Sequence, residues 1–255
     1  MSTVESPVLT PEYGGYLRFE WQKFIKDPER ARASLDLTAD TTVNRVLDVG
    51  CGAGQELLPF LTERNALGVG IDPEPQAGHV GREMYANYAP EARVNFLRGT
   101  AEDLPFPSDY FDVVICRLAL PYTDNARAFA EVSRVLRPGG KYFLKISGAR
   151  WYLLELKQAL KERKMLSLIH AGRVLVAGSI YHLTRRQPRW KIPSRETFQS
   201  RWLVRRELKR HGLLIQAETP DSNPVTPSFV VVKGDRPGFR GKARLQNAGR
   251  KSEHA

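Results

Sequence analysis

The stretch Arg45-Val46-Leu47-Asp48-Val49-Gly50-Cys51-Gly52-Ala53-Gly54-Gln55 decides the fold. Arg45 to Val49 is a short, β-branched, mostly apolar run closed by glycine, and it reads as a strand. Three glycines in alternation then turn the chain sharply into a helix expected from Gln55. Glycine tolerates φ > 0 and leaves no Cβ between the backbone and a ligand. The free N–H groups of the helix behind such a turn favour a carboxylate or phosphate. The spacing is G-x-G-x-G after an aspartate, not the dinucleotide pattern G-x-G-x-x-G. Asp72, 24 residues after Asp48, ends the next apolar run, where a carboxylate can accept both hydroxyls of a ribose. Its plainer alternative is a helix cap.

Outward from this turn, further strands are expected at Leu67 to Ile71, Val94 to Leu97, Val113 to Cys116, Lys141 to Ile146, Leu213 to Ala217 and Phe229 to Val232. Helices are expected at Gln55 to Asn65, Pro75 to Tyr88 and Ala126 to Leu136, with Arg137-Pro138-Gly139-Gly140 as a stop and turn. Such alternation predicts a Rossmann-like α/β fold with a seven-stranded, mostly parallel sheet covered on both faces. The last two strands, joined by a turn-rich linker from Glu218 to Ser228, are too close for a helical crossover and should pair antiparallel. The expected organisation is an N-terminal helical lid (1–44), a core (45–149), a helical cap inserted after the fifth strand (150–194), completion of the core (195–233) and a disordered basic tail (234–255).

The net charge of +11 is uneven. Residues 1–149 carry 16 Lys/Arg and 20 Asp/Glu, whereas residues 150–211 carry 16 and 4. That middle segment fits an anionic substrate, a nucleic acid or an anionic membrane surface as well as a solvated helical face. No uninterrupted apolar run approaches the roughly 18 residues of a membrane span, and the N-terminus lacks the pattern of a signal peptide, so a cytoplasmic protein without a transmembrane segment is expected. Cys51 and Cys116 suggest no disulfide framework, and the histidines have no ligand spacing, so no metal is expected.

Five motifs in order resemble the class I S-adenosylmethionine-dependent methyltransferases, in particular the small-molecule group that includes the ubiquinone-biosynthesis type. They are Val46 to Gly54, Gly70-Ile71-Asp72, Gly99 to Phe106, Phe111 to Cys116, and Glu131 with Arg134 to Gly140. The resemblance covers residues 45–147 well and 195–232 loosely. It implies S-adenosylmethionine as cofactor, with Asp48, Gly50, Cys51, Gly52 and Gly54 behind its methionine part and Asp72 on its ribose. It also puts Pro73, Thr100, Ala101 and Glu102 near the adenine, and Cys116 and Leu118 at the end of the fourth strand. Thr100 stands where the family commonly has aspartate. The histidine often found near Pro121 and Tyr122 is missing, and with it the usual general base.

In-line methyl transfer depends chiefly on alignment in a dry pocket. Tyr122 is the candidate for orienting or deprotonating the acceptor, with Arg117 as an anchor for an anionic one; the alternatives are a packing tyrosine and a solvated arginine. Tyr13 and Tyr16 precede the core in an aromatic-rich stretch, and Trp151, Tyr152, His170, Tyr181 and His182 lie in the expected cap, so these seven are the substrate-site candidates. The leading expectation is a methyltransferase for a small hydrophobic or aromatic acceptor, with or without an anionic group. The others are an RNA or protein methyltransferase docking through residues 150–211, and a non-catalytic protein of the same fold at a membrane surface.

Overall fold

A computed structural model describes residues 11–188 and 195–234. Two helices, α1 (Pro11–Ile25) and α2 (Pro28–Asp36), precede the sheet. Then come β1 (Arg45–Val49), a 3-10 turn (Gln55–Leu57), α3 (Leu58–Glu63), β2 (Leu67–Asp72), α4 (Pro75–Tyr88), β3 (Val94–Arg98) and β4 (Phe111–Arg117). A second 3-10 turn (Leu120–Tyr122) leads to α5 (Asn125–Val135), β5 (Leu136–Lys145), α6 (Ala149–Lys161), α7 (Met165–Thr184), α8 (Arg201–Arg210), β6 (Leu213–Glu218) and β7 (Ser228–Lys233).

The seven strands lie in the order β3-β2-β1-β4-β5-β7-β6. All neighbours are parallel until β7, which pairs antiparallel with both β5 and β6, so the expected Rossmann-like sheet is present. The strand order reverses between β1 and β4, and in open sheets of this kind the crevice at the carboxyl ends of those strands receives ligands. Period-2 alternation fills both faces. Leu47, Val114, Cys116 and Leu144 pack with Phe129, Val204 and Leu208 on one side. Val46, Ile115 and Phe143 pack with Trp21, Leu57 and Phe60 on the other. Trp21 is fully buried, its ring edge against Tyr85 at 5.1 Å, so α1 is docked on the core.

Local chemistry explains several boundaries. Asp27 starts α2 by accepting from Arg30 N at 3.2 Å, Asp124 starts α5 from Arg127 N at 3.3 Å, and Ser200 starts α8 from Leu203 N at 3.2 Å. Asp112 accepts from Arg45 N at 2.8 Å and pairs with Arg137 at 2.8 Å, joining the start of β1 to β4 and β5.

Two expectations need correction. The helix expected at Gln55 to Asn65 is a 3-10 turn followed by a six-residue helix, because Pro59 and the left-handed Gly54 restrict its start. Arg137 to Gly140 belong to the irregular first half of β5, where the register shifts between Phe111 and Val113, instead of standing outside the sheet. Helix α8 begins at Arg201, where Ser200 supplies the cap. Among the described residues α7 alone is long and apolar enough to cross a membrane, by length and composition only; Arg173 is its one Lys, Arg, Asp or Glu, and its inner side is packed on the rest of the chain. The tail expected from Gly234 onward lies, beyond Gly234 itself, outside the described residues.

Candidate active site

The glycine turn after β1 takes the backbone path its sequence requires. Gly50, Gly52 and Gly54 all have positive φ, at 68°, 53° and 77°. A Cβ on Gly50 would sit 2.2 Å from Ala119 Cβ, so the turn after β1 and the turn after β4 touch only because position 50 is bare. Leu118 reverses the chain there in the left-handed region, φ 63°, and donates its N–H to Lys145 O at 2.9 Å.

Asp72, at the end of β2, accepts from Gly52 N at 3.0 Å and from Glu74 N at 2.9 Å. It therefore caps the start of α4 and also bridges to the glycine turn. Each carboxylate oxygen retains a second lone pair for a ligand hydroxyl. Asp48 is buried, and one of its oxygens has no hydrogen-bond partner. Burial, with Asp72 nearby, pushes its carboxyl up to about 7. Burial also raises the carboxyl of Asp72, against the two backbone N–H groups that hold it ionised. Two carboxylates so placed favour a ligand that carries positive charge.

Residues of α1 lie against this edge. Leu17 of α1 lies 3.1 Å from where a Cβ on Gly52 would be. Burial and the facing Asp72 and Glu74 raise the phenol of Tyr13, whose ring stacks on Tyr16 at 6.2 Å. On the adenine side of the expectation, Thr100 bridges to Asp103, Ala101 is buried, and Glu102 accepts from Asp124 N at 2.7 Å. Pro73 gives its carbonyl to Arg98 at 3.1 Å. Cys51 is buried beside Gly70. The Cys116 side chain faces the sheet–helix core, where burial pushes its thiol up to about 12 and Tyr142 is a partner, so only its backbone is left toward the crevice.

A second group of side chains gathers between the cap and the turn after β4. Glu196, 4% exposed, accepts from the Tyr152 hydroxyl at 2.8 Å and lies 3.2 Å from His170 Nε2 and 3.9 Å from Arg173. The Tyr122 hydroxyl is a further hydrogen-bond partner of Glu196, and Tyr16 lies close to Tyr122. Burial and the Glu196 charge raise the phenols of both Tyr122 and Tyr152, which keeps them protonated. Tyrosines thus run from Asp72 (Tyr13) through Tyr16 and Tyr122 to the carboxylate of Glu196. Glu196 itself sits in no motif; its one signal is being among four acidic residues in the cationic stretch 150–211.

Other candidates fall elsewhere. Arg117 is held by Glu56, its Nε 3.0 Å from the carboxylate, and by Asp221. Its cavity, 240 Å³, is lined also by Asp27 and Glu29, so its charge is already answered and an anchor for an anionic acceptor is not what it presents. His182 stacks on Phe198 at 4.7 Å and bonds Gly178 O and Ser200 Oγ, both at 2.6 Å, fixing α7 to the chain before α8. Tyr181 is buried, its phenol pushed up to about 12 by burial, with Asn125 as partner. Trp151 is partly exposed on the outer side of α6.

Residues 47–144 match the family model described as a methyltransferase domain. They form a class I S-adenosylmethionine-dependent methyltransferase domain. Over 102 residues the chain is 38% identical to an uncharacterized methyltransferase, YcgJ, of Bacillus subtilis, covering 40% of each chain. Over 100 residues it is 36% identical to the ubiquinone/menaquinone biosynthesis C-methyltransferase UbiE of Proteus mirabilis, covering 38% of this chain and 40% of that one. The chain spans about two fifths of the length of these curated relatives. Magnesium protoporphyrin IX methyltransferase of Synechocystis, solved with bound SAH, shares the fold of this methyltransferase domain and its surroundings: TM-score 0.57, 14% identity, 84% of each chain covered.

Proposed function

We propose that the protein transfers a methyl group from S-adenosylmethionine to a small, apolar or aromatic acceptor held under the α6–α7 cap. The observation that carries this is Asp72, which ends β2 beside the switch-point strand β1 and links the glycine turn to α4. When bound, S-adenosylmethionine supplies an electrophilic methyl group on a positively charged sulfur. Asp72 would hold the ribose, the turn from Gly50 to Gly54 the methionine part, and the paired charges of Asp48 and Asp72 favour a cationic donor. Calorimetric titration of the Asp72→Asn protein with S-adenosylmethionine tests the donor; unchanged affinity with intact folding sinks it.

For the acceptor, Tyr16 and Tyr122 offer exposed aromatic faces, and Glu196 supplies the base that the sequence lacks at its usual place. An acceptor X–H gives its proton to the Tyr122 oxygen while the phenol proton passes to the Glu196 carboxylate. The new X–C bond would replace the S–C bond of the methyl donor, leaving a neutral thioether, S-adenosylhomocysteine, while Glu196 would end protonated. The relative named for ubiquinone and menaquinone biosynthesis supports an apolar aromatic acceptor of this kind. A cytoplasmic location goes with this reading.

One observation favours the second reading, an RNA or protein acceptor. Trp202, half exposed on α8, is ringed by Arg205, Arg206, Lys209 and Arg210, with Arg185 5.9 Å from its ring. Incubation of cell extract with labelled S-adenosylmethionine separates the two. Label in an organic-soluble small molecule supports the first; label in RNA or protein replaces it.

A further inference from the structure

Helix α7 is apolar nearly all round and calls for apolar surroundings, and the α6–α7 hairpin finds them on one side only. Inward, α7 buries Ala171, Val174, Ala177, Gly178 and Tyr181, while α6 buries Tyr152 and Ala159. Outward, Leu153, Leu154, Leu160, Met165, Leu166 and Ile169 are each at least half exposed around the α6–α7 turn. Val176 and Leu183 continue the line of Ile169 along α7 at intervals of seven residues and are exposed too. Among them stand five exposed cations, Arg150, Lys157, Lys161, Arg163 and Lys164, against Glu155 and Glu162.

Three occupants suit such a face in principle. A membrane-spanning role conflicts with the attachment of α7 along its inner side, where Gly178 is pressed on Phe198 and His182 is tied to Ser200. A second copy would bring together two hairpins in each of which six Lys/Arg stand against Glu155 and Glu162, and like charges repel. An anionic bilayer answers both features: acyl chains take the apolar side chains, and headgroups take the cations. We infer that the outer face of the α6–α7 hairpin docks on an anionic lipid bilayer, with the turn between the two helices entering the headgroup layer. The opposite sides of these helices carry Tyr152 and His170 to Glu196, so docking would bring the roof of the acceptor site to the lipid phase. In that respect the inference rests on the reading above, although the docking itself requires no bound donor.

The test is co-sedimentation of the full chain with phosphatidylcholine vesicles, with and without phosphatidylglycerol, at low and high salt. Expected is pelleting with the anionic vesicles that weakens as salt rises. Leu166→Ser with Ile169→Ser should lower partitioning about tenfold or more, and Lys161→Ala or Lys164→Ala roughly fivefold each. The melting temperature and S-adenosylmethionine affinity of these variants should match the parent. No pelleting with anionic vesicles, or pelleting that these changes leave intact, overturns the inference. So does concentration-dependent dimerisation abolished by the Leu166 and Ile169 changes, which would assign the face to a second copy. Asp72→Asn keeps the two questions apart: it should pellet like the parent even where donor binding is lost.

Discussion

At the scale of single residues, Asp48 and Glu196 are buried carboxylates with opposite surroundings. Asp48 has an orphaned oxygen and a carboxylate neighbour, and its carboxyl titrates near 7. Its folded value lies above the unfolded one, so the native state keeps a proton that the unfolded chain has released. Stability contributed by Asp48 is therefore complete below about pH 4 and falls as pH rises toward 7. Asp48→Asn should stabilise the ligand-free protein by on the order of 1–3 kcal/mol at pH 8, with the gain vanishing near pH 4. Urea unfolding at both pH values checks this, and a gain independent of pH would refute it. Glu196 has partners on both oxygens, so Glu196→Gln keeps the shape and removes the proton acceptor. Methyl transfer should drop about 10²-fold or more, with donor affinity unchanged. A purely structural Glu196 would instead lower the melting temperature and leave the rate and its pH profile alone.

Elements were legible to the extent that their signals are local. The strands β1, β2, β4 and β7 are apolar runs with β-branched residues, and the crevice could be placed because Asp48 and Asp72 stand at the ends of two of them. The start of β5 was hidden because Pro138 and Gly139 read as a turn whether or not a neighbouring strand accepts them. The partnerships of Glu196, Arg30 and Asp221 gave no signal because the partners are distant in sequence: the Tyr152–Glu196 bond crosses 44 positions and the Arg117–Asp221 pair 104. The cap's attachment was hidden for the same reason. Gly178 has ordinary helical geometry, yet a Cβ there would lie 2.2 Å from the Phe198 ring, which His182 holds in place by stacking. Gly178→Ala should therefore lift α7, destabilising the cap by about 1–3 kcal/mol. Limited proteolysis should cut between α6 and α8 before the sheet is attacked, and a cutting pattern identical to the parent's would count against this packing.

On the scale of the whole molecule, one ionic network joins parts that the sheet alone does not connect. Arg30 comes from α2, Glu56 from the turn after β1, Arg117 from the end of β4, Lys145 from the end of β5 and Asp221 from the β6–β7 connection. Burial and the neighbouring Arg117 bring the Arg30 guanidinium down to about 10. Burial opposes ionisation of Asp221 as well, but Arg117, Lys145 and Thr219 outweigh it and hold its carboxyl well below the usual range. A carboxyl depressed on folding stabilises the native state above its unfolded value near 4 and loses that contribution as pH falls through the folded value. Asp221→Asn should thus cost on the order of 1–2 kcal/mol at neutral pH, the partly exposed edge of the network screening the rest. It should also flatten the acid side of the melting-temperature profile below about pH 4, where the parent loses stability and the variant has none of this kind to lose. Because the network spans lid, crevice and final hairpin, the variant should melt with the lid detaching first. A single transition shifted equally at pH 7 and pH 3 would show that Asp221 acts only as local packing.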